Sequence, residues 1–400
     1  MRMLKGYSYL IAFAVFFVCT IFIRPIFPID ETRYLTVAWE MFISGNHTLL
    51  SLNFDPYHHK PPMLFWLINF CWNIFGVSRW AAQIPVFIGS TLVLVLSEKL
   101  AKKIYIDHKS EKVFLVPWLM LGALPFLIYS TMVMFDLTLT AAVLASLLTF
   151  LNYAEKPNVK TILLAGIFMG CGVLIKGPVA YLYILWPLAL FPIWKSKSQV
   201  VTNAKFYKAI GGSVLISAFP ILLWLVPALL QADQNFAYWI LWEQTAGRVH
   251  GDFGSSHVRP FYFFLMLAPI MIMPWCFTPH FWREIKNVSS NDKATRFLIC
   301  AFVPVFISFS LIAGKQPHYL VPLLPYIAIL LSQILTSEKL VKYMALLLIA
   351  LFIVGQASLH SFLLYKYDLT PMAAFYQNNK DHDFAFVRKY QGELGFIGRI

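Results

Sequence analysis

The chain is predicted to be an all-α polytopic membrane protein. Three observations predict it: 59% of the 400 residues are hydrophobic, only 13% are charged, and the apolar residues fall in long runs between short polar segments. Soluble globular chains carry about a quarter charged residues, so a soluble fold is excluded. A bilayer core of about 30 Å is crossed by roughly 20 helical residues. Eleven stretches approach that length: 7–23, 80–97, 113–131, 137–153, 161–175, 178–194, 209–230, 261–279, 297–313, 319–335 and 343–360.

Lys and Arg number 32 against 19 Asp and Glu, a net charge of +13. In a soluble domain such an excess would suggest nucleic acid, but here its position relative to the spans decides its meaning. With the N-terminus inside, 19 basic residues fall on the cytoplasmic side, 8 on the outer side up to residue 360, and 5 in the tail from 361. That bias follows the positive-inside rule and marks orientation; no nucleic-acid partner is expected. An odd number of spans places the tail outside. The first span has a basic start and an apolar run, yet no small-x-small cleavage site follows Cys19-Thr20, and the run continues through Ile23 to Arg24-Pro25. It reads as a retained anchor. The five cysteines are odd in number and widely spaced, which supports neither a disulfide framework nor a zinc ribbon.

Residues 1–360 thus form a transmembrane module with two long outer segments, 24–79 and 231–260, followed by a tail, 361–400. The tail is mixed, with Phe384-Ala385-Phe386-Val387 and Gly395-Phe396-Ile397 resembling short strands.

The outer segments hold the residues suited to chemistry. The first opens with Asp30-Glu31-Thr32-Arg33-Tyr34, after which Leu35, Ala38, Trp39 and Phe42 recur at helical spacing, predicting an amphipathic interfacial helix. Asp30 and Glu31 fit either a helix cap with a favourable first-turn charge or a functional acidic pair. Tyr57-His58-His59-Lys60-Pro61-Pro62 then precedes a second interfacial helix. Held on a stiff backbone, Lys60 suits a phosphate and His59 a metal; both equally suit lipid head groups. Asp136 stands at the mouth of the fourth span, as a cap or a site residue, and Lys176 interrupts the apolar stretch from 161 to 194. The 231–260 segment carries Glu243, Arg248, His250, Asp252, His257 and Arg259 among three glycines, the composition of a mobile lid. Gly314-Lys315-Gln316-Pro317-His318-Tyr319 makes a tight outer turn.

Cations beside interfacial aromatic helices suit a lipid phosphate whose tail enters from the bilayer, and the carboxylates suit a cation, sugar hydroxyls or a base. No Gly-rich phosphate loop occurs, which excludes the usual nucleotide hydrolases. A transporter or flippase of a lipid-linked or anionic substrate is the competing class. Transporters place ionisable residues near the midplane and often show paired repeats; here such residues gather at one surface.

Asp-Glu-Thr-Arg-Tyr at 30–34, His-Lys-Pro at 59–61, Phe-Asp-Leu at 135–137, Lys-Gly-Pro at 176–178, His-x-Arg-Pro-Phe-Tyr at 257–262 and Gly-Lys-x-Pro-x-Tyr-x-x-Pro at 314–322 occur in order. The chain resembles the bacterial polyprenyl-phosphate-dependent glycosyltransferases of the GT-C fold, in the dolichyl-phosphate-mannose protein mannosyltransferase-like group, and within it the lipid A aminoarabinose transferases. The resemblance covers about residues 7–360. It implies transfer of a sugar from an undecaprenyl-phosphate carrier to a lipid A-like lipid, glycan or protein acceptor at the periplasmic face of the inner membrane. By motif match, Asp30 is the implied first-loop catalytic carboxylate and Asp136 the second acidic site residue. Lys60, Arg259 and Lys315 are implied at the carrier phosphate, and Glu31, Arg33, Tyr34, Lys176 and Tyr319 at the substrate. Where the family commonly has Glu before Lys-Pro, this chain has His59; paired with His257 it would give two imidazoles to a divalent metal such as Zn, Mg or Mn.

Overall fold

The computed structural model describes residues 7–400 apart from 106–111, 197–198, 233–236, 241–257, 289–291, 361, 383 and 386–389. Most of the segment expected as a lid, including Glu243, Arg248, His250, Asp252 and His257, lies outside the described residues.

All eleven apolar stretches are helical over most of their length, because hydrocarbon offers the backbone no partners and a helix satisfies it internally. The chain runs through α1 (Ser8–Ile23), α2 (Asp30–Ser44), a hairpin of β1 (Ser51–Leu52) and β2 (Asp55–Pro56), α3 (Met63–Phe75), α4 (Arg79–Ile104), α5 (Val116–Leu121), α6 (Leu124–Tyr129), α7 (Asp136–Glu155) and α8 (Val159–Lys176). It continues through α9 (Val179–Ala189), α10 (Phe191–Trp194), α11 (Asn203–Gln231), α12 (Phe263–Ile272), α13 (Pro279–Glu284), α14 (Lys293–Leu311), a 3-10 segment at Pro317–Leu323, α15 (Leu324–Ile334), α16 (Glu338–His360), α17 (Thr370–Asn378) and α18 (Gly395–Gly398).

Among the described residues, seven helical stretches are long and apolar enough to cross a membrane: α4, α7, α8, α11, α14, Pro317–Ile334 and α16; shorter apolar helices accompany them. Several expected spans are interrupted for identifiable reasons. The 113–131 stretch breaks at Gly122-Ala123, before Pro125, where the Trp275 ring fills the space a Cβ on Gly122 would need. The 178–194 stretch contains Pro187 and divides at Leu190. Pro317 and Pro322 accompany a 3-10 rather than an α-helical start to the 319–335 stretch.

Helix α7 is the most enclosed, with 78% of its apolar stretch buried, whereas α11 and α16 have 22% and 17% and form the periphery. Around α7 pack α4, α8, α9 and the 3-10 segment. Helices α8 and α11 meet through small residues: a Cβ on Gly166 would lie 2.6 Å from Ile216, and one on Gly170 would lie 2.8 Å from the Ser217 carbonyl. In lipid, where apolar side chains gain little by leaving one another's solvent, such close backbone approach supplies much of the association.

Two features depart from a purely helical reading. The hairpin turns through Asn53 and Phe54, both at positive φ, and is tied down by buried Glu40, whose carboxylate accepts from the Ser51 hydroxyl at 2.6 Å and from the N–H groups of Asn53 and Phe54 at 2.6 and 3.1 Å. In the tail Gly395-Phe396-Ile397, expected as a short strand, is the helical turn α18, docked on α2; of the other expected strand, Phe386 and Val387 lie outside the described residues. Thr36 donates to the Gly392 carbonyl at 2.7 Å and accepts from the Phe396 N–H at 3.0 Å, while Phe396 stacks on Trp72 at 5.2 Å. The segment has too few residues for its own core and borrows one from the first loop. A Cβ on Gly395 would sit 2.7 Å from the Thr36 hydroxyl. Gly395→Val should therefore destabilise the fold by about 1–3 kcal/mol through overpacking, read as a lower thermal midpoint; an unchanged midpoint would show that the tail does not dock this way.

Candidate active site

The site begins where α1 ends. Arg24, only 2% exposed, turns inward and grips Glu31 with both guanidinium nitrogens, at 2.5 and 2.8 Å. Glu31 also accepts from the Phe27 N–H at 3.0 Å and the Val133 N–H at 2.7 Å, and Arg24 donates to the Thr131 carbonyl. Low dielectric makes this pair strong because the Glu31 oxygens and both terminal nitrogens of Arg24 find partners; only the Arg24 Nε is left without one among the described residues. Glu31, expected at the substrate, is thus enclosed as a brace joining α1, α2 and the 131–133 segment.

Successive helical residues point about 100° apart, so committing Glu31 to the interior turns Asp30 elsewhere. Its carboxylate, 42% exposed, is held by Arg33 and accepts from the Tyr34 hydroxyl at 3.3 Å. It does not cap α2: the cap position is Ile29, with no side-chain bond to the helix. Burial opposes the charge on Arg33, but Tyr57, Tyr34 and Asp30 outweigh it and hold the guanidinium above its ordinary pKa. Tyr34 is pushed well above the usual tyrosine value by burial, with Asp30 and Tyr57 adding to it. It is therefore a permanent donor to Asp30 at physiological pH.

Asp136 opens α7, and Lys176 closes α8. The two form an ion pair with side chains 1% and 6% exposed, each at the helix end that favours its charge. Asp136 is not a cap either, since that position is Phe135 and no side-chain bond is made. The Lys176 ammonium stands 4.9 Å from the centre of the Tyr319 ring, and the Tyr319 carbonyl accepts from Tyr183 at 2.7 Å. Next to it lies His318, 5.0 Å from Tyr319 and 6.3 Å from Tyr129, ring centre to ring centre. His318 is in electrostatic reach of Asp136, Lys176, Lys60 and Asp30, and Tyr129 of Asp136 and Asp30. Five segments remote in sequence therefore converge at one end of the bundle. At the other end Lys103 pairs with Glu155 and Lys102 with Glu98.

Tyr57 is buried and Lys60 half-buried, directly before α3. His59 lies 5.3 Å from the Tyr57 ring and 4.7 Å from His58, whose ring is 4.8 Å from Trp239. Its expected metal partner, His257, is outside the described residues. Among the described residues no cluster of three or more His, Cys, Asp or Glu forms, so two adjacent imidazoles fall short of the ligand set a zinc site uses.

Arg259 and Lys315 do meet. Val258 bridges to Gly314, the Arg259 N–H donates to the Ala313 carbonyl at 3.3 Å, and Arg259 stacks over Phe263 at 4.5 Å. Lys315, 2% exposed, spends its ammonium on the carbonyls of Arg259 and Ile312, at 2.8 and 2.5 Å; burial lowers its pKa. It fixes the Arg259 segment from below, while Arg259 itself stays exposed.

Sequence reasoning left Arg24 and His318 without a role. Arg24 was signalled by a charge placed directly after an apolar span and six residues before an acidic pair. His318 was signalled by its place inside the motif that ends in Tyr319.

The chain resembles known proteins over most of its length. Residues 59–224 match the family described as dolichyl-phosphate-mannose-protein mannosyltransferase. An undecaprenyl phosphate-alpha-4-amino-4-deoxy-L-arabinose arabinosyl transferase of Proteus mirabilis is 27% identical over 81% of this chain and 58% of its own length. One from Photorhabdus laumondii is 25% identical over 80% of this chain and 58% of its own. The chain thus spans less than two thirds of these relatives. Among solved structures, ArnT from Cupriavidus metallidurans bound to undecaprenyl phosphate superposes with a TM-score of 0.76 at 16% identity, covering 100% of this chain and 84% of that one. The archaeal oligosaccharyltransferase AglB from Archaeoglobus fulgidus gives 0.52 at 13%, covering 99% and 64%. The chain is a multi-pass membrane protein with the fold of ArnT, similar over residues 59–224 to the dolichyl-phosphate-mannose-protein mannosyltransferase family and over most of its length to aminoarabinose transferases.

Proposed function

We propose that the chain transfers a sugar from an undecaprenyl-phosphate carrier to an acceptor, a lipid A-like lipid before a glycan or a protein. The reaction end of the bundle is taken as the periplasmic face of a bacterial inner membrane, with the N-terminus cytoplasmic and the shorter apolar helices completing eleven crossings. The observation that carries the reading is the gathering of two carboxylates and two lysines around His318 and its neighbour Tyr319 at one end of a GT-C bundle.

The acceptor attacks the anomeric carbon as the bond from that carbon to the carrier phosphate breaks, and the phosphate leaves with the electron pair. Lys60, with Arg259 nearer the surface, stabilises the charge that develops on the leaving phosphate. If the acceptor is a hydroxyl, its proton passes to Asp30; if it is already a phosphate, Asp30 orients it and no base is needed. Arg33 and Tyr34 hold the Asp30 carboxylate in place, and the Asp136–Lys176 pair with Tyr319 forms the wall against which the sugar sits. A single displacement inverts the anomeric centre; a retained configuration in the product would sink this mechanism.

The test is mass spectrometry of total lipids and envelope glycoconjugates with and without the protein. One sugar mass lost from an acceptor and gained on the carrier is expected in its absence; identical profiles would overturn the proposal. For Lys60→Ala, affinity for undecaprenyl phosphate should fall about tenfold or more, the loss of a charge-assisted bond. Unchanged affinity would remove Lys60 from the phosphate site.

A further inference from the structure

A polar cavity of about 340 Å³ lies between the end of α1, the start of α4 and the C-terminal segment; its charged and polar lining is Arg24, Arg79, His360, Asp368, Thr370 and Arg399. That volume is at the lower end of small-ligand sites, which run about 300–1,000 Å³. Asp30, Lys60, Asp136 and Lys176 do not line it, so apart from the Arg24 brace it shares no residue with the site above and does not depend on the reading of that site.

Its charges do not cancel. Arg24 is neutralised by Glu31. Arg79 makes its one hydrogen bond among the described residues from Nη2 to the Arg24 carbonyl, and its Nε is buried without a partner. Arg399 donates to the Val77 carbonyl at 3.2 Å and lies flat over Trp39 and Phe396, at 4.8 and 4.4 Å. Among the described residues neither arginine forms a salt bridge. Asp368 is the one carboxylate in the lining, and it accepts from the Thr370 N–H at 2.9 Å. Two guanidinium groups against one carboxylate leave a surplus positive charge, to which His360 adds when protonated.

The surroundings say where the anion comes from. Phe22, which also lines the cavity, is 70% exposed and packs 4.4 Å from Trp80, itself 41% exposed. Exposed aromatics at the ends of spans mark head-group level, and a planar guanidinium matches phosphate oxygens in pairs. We infer that this cavity holds the phosphate of a membrane glycerophospholipid between Arg79 and Arg399, pinning the C-terminal segment to the ends of α1 and α4.

Native mass spectrometry of the full chain with phosphatidylglycerol, phosphatidylcholine or inorganic phosphate tests this. Phosphatidylglycerol should be retained in preference to phosphatidylcholine, and Arg399→Gln should lower that retention about fivefold, the effect of one arginine near an anionic head group. Arg399→Lys should keep most of it. Because Arg399 also packs on Trp39 and Phe396, Arg79→Gln is measured beside it and should show a loss of similar size with that packing intact. Lys205→Gln, at the opposite end of the bundle, should change nothing. Full retention in Arg79→Gln, an equal loss in Lys205→Gln, or inorganic phosphate displacing the lipid at matched concentration would each overturn the proposal.

Discussion

Asp30→Asn should lower sugar transfer by about 100-fold or more, the lower range of general-base contributions, while leaving the thermal midpoint near that of the parent. The two halves of that expectation come from the same geometry. The Asp30 side chain is 42% exposed, tied among the described residues to Arg33 and Tyr34, and is not the cap of its helix. An amide oxygen still accepts from both donors, so the fold keeps its contacts, but the group no longer takes a proton. Transfer from an undecaprenyl-phosphate sugar, measured on purified protein in lipid, is the readout. Near-normal turnover would leave Asp30 as an anchor for Arg33.

Its neighbour should behave in the opposite way. Arg24→Met removes one partner of a fully buried pair and leaves Glu31 charged among the N–H groups of Phe27 and Val133. Breaking such a pair costs about 3–5 kcal/mol, so the protein should unfold at markedly lower temperature or accumulate poorly. The double variant Arg24→Met/Glu31→Leu should recover much of that loss, because two apolar groups pack without an orphaned charge. Additive losses in the double variant would mean that the two residues act independently and that the brace is not a unit. Together the two experiments separate adjacent acidic residues into one that works on substrate and one that holds the frame.

That separation marks what was legible in the sequence. The membrane class, the helical stretches and the set of outer polar segments follow from hydropathy and charge bias, which are properties of local composition and need no knowledge of neighbours. The convergence of Asp30, Lys60, Asp136, Lys176 and Tyr319 was also anticipated, because all lie at span ends on one side and a bundle brings such ends together. The role of Lys315 was not: only the turn back from Ile312 reveals that its ammonium is consumed by two carbonyls. Nor was the docking of the tail, where Thr36 meets Gly392 and Phe396 more than 350 residues away.

By itself the sequence determined that this is a polytopic helical protein and raised the expectation of chemistry at one membrane surface, since burial in lipid imposes helices and a charge bias that a single chain displays openly. Tertiary structure alone decided which of the polar groups face that surface. Asp30 and Glu31 are equivalent as letters; what divides them is that Arg24 and the N–H of Val133, brought from either side of the first loop, close around one and leave the other open.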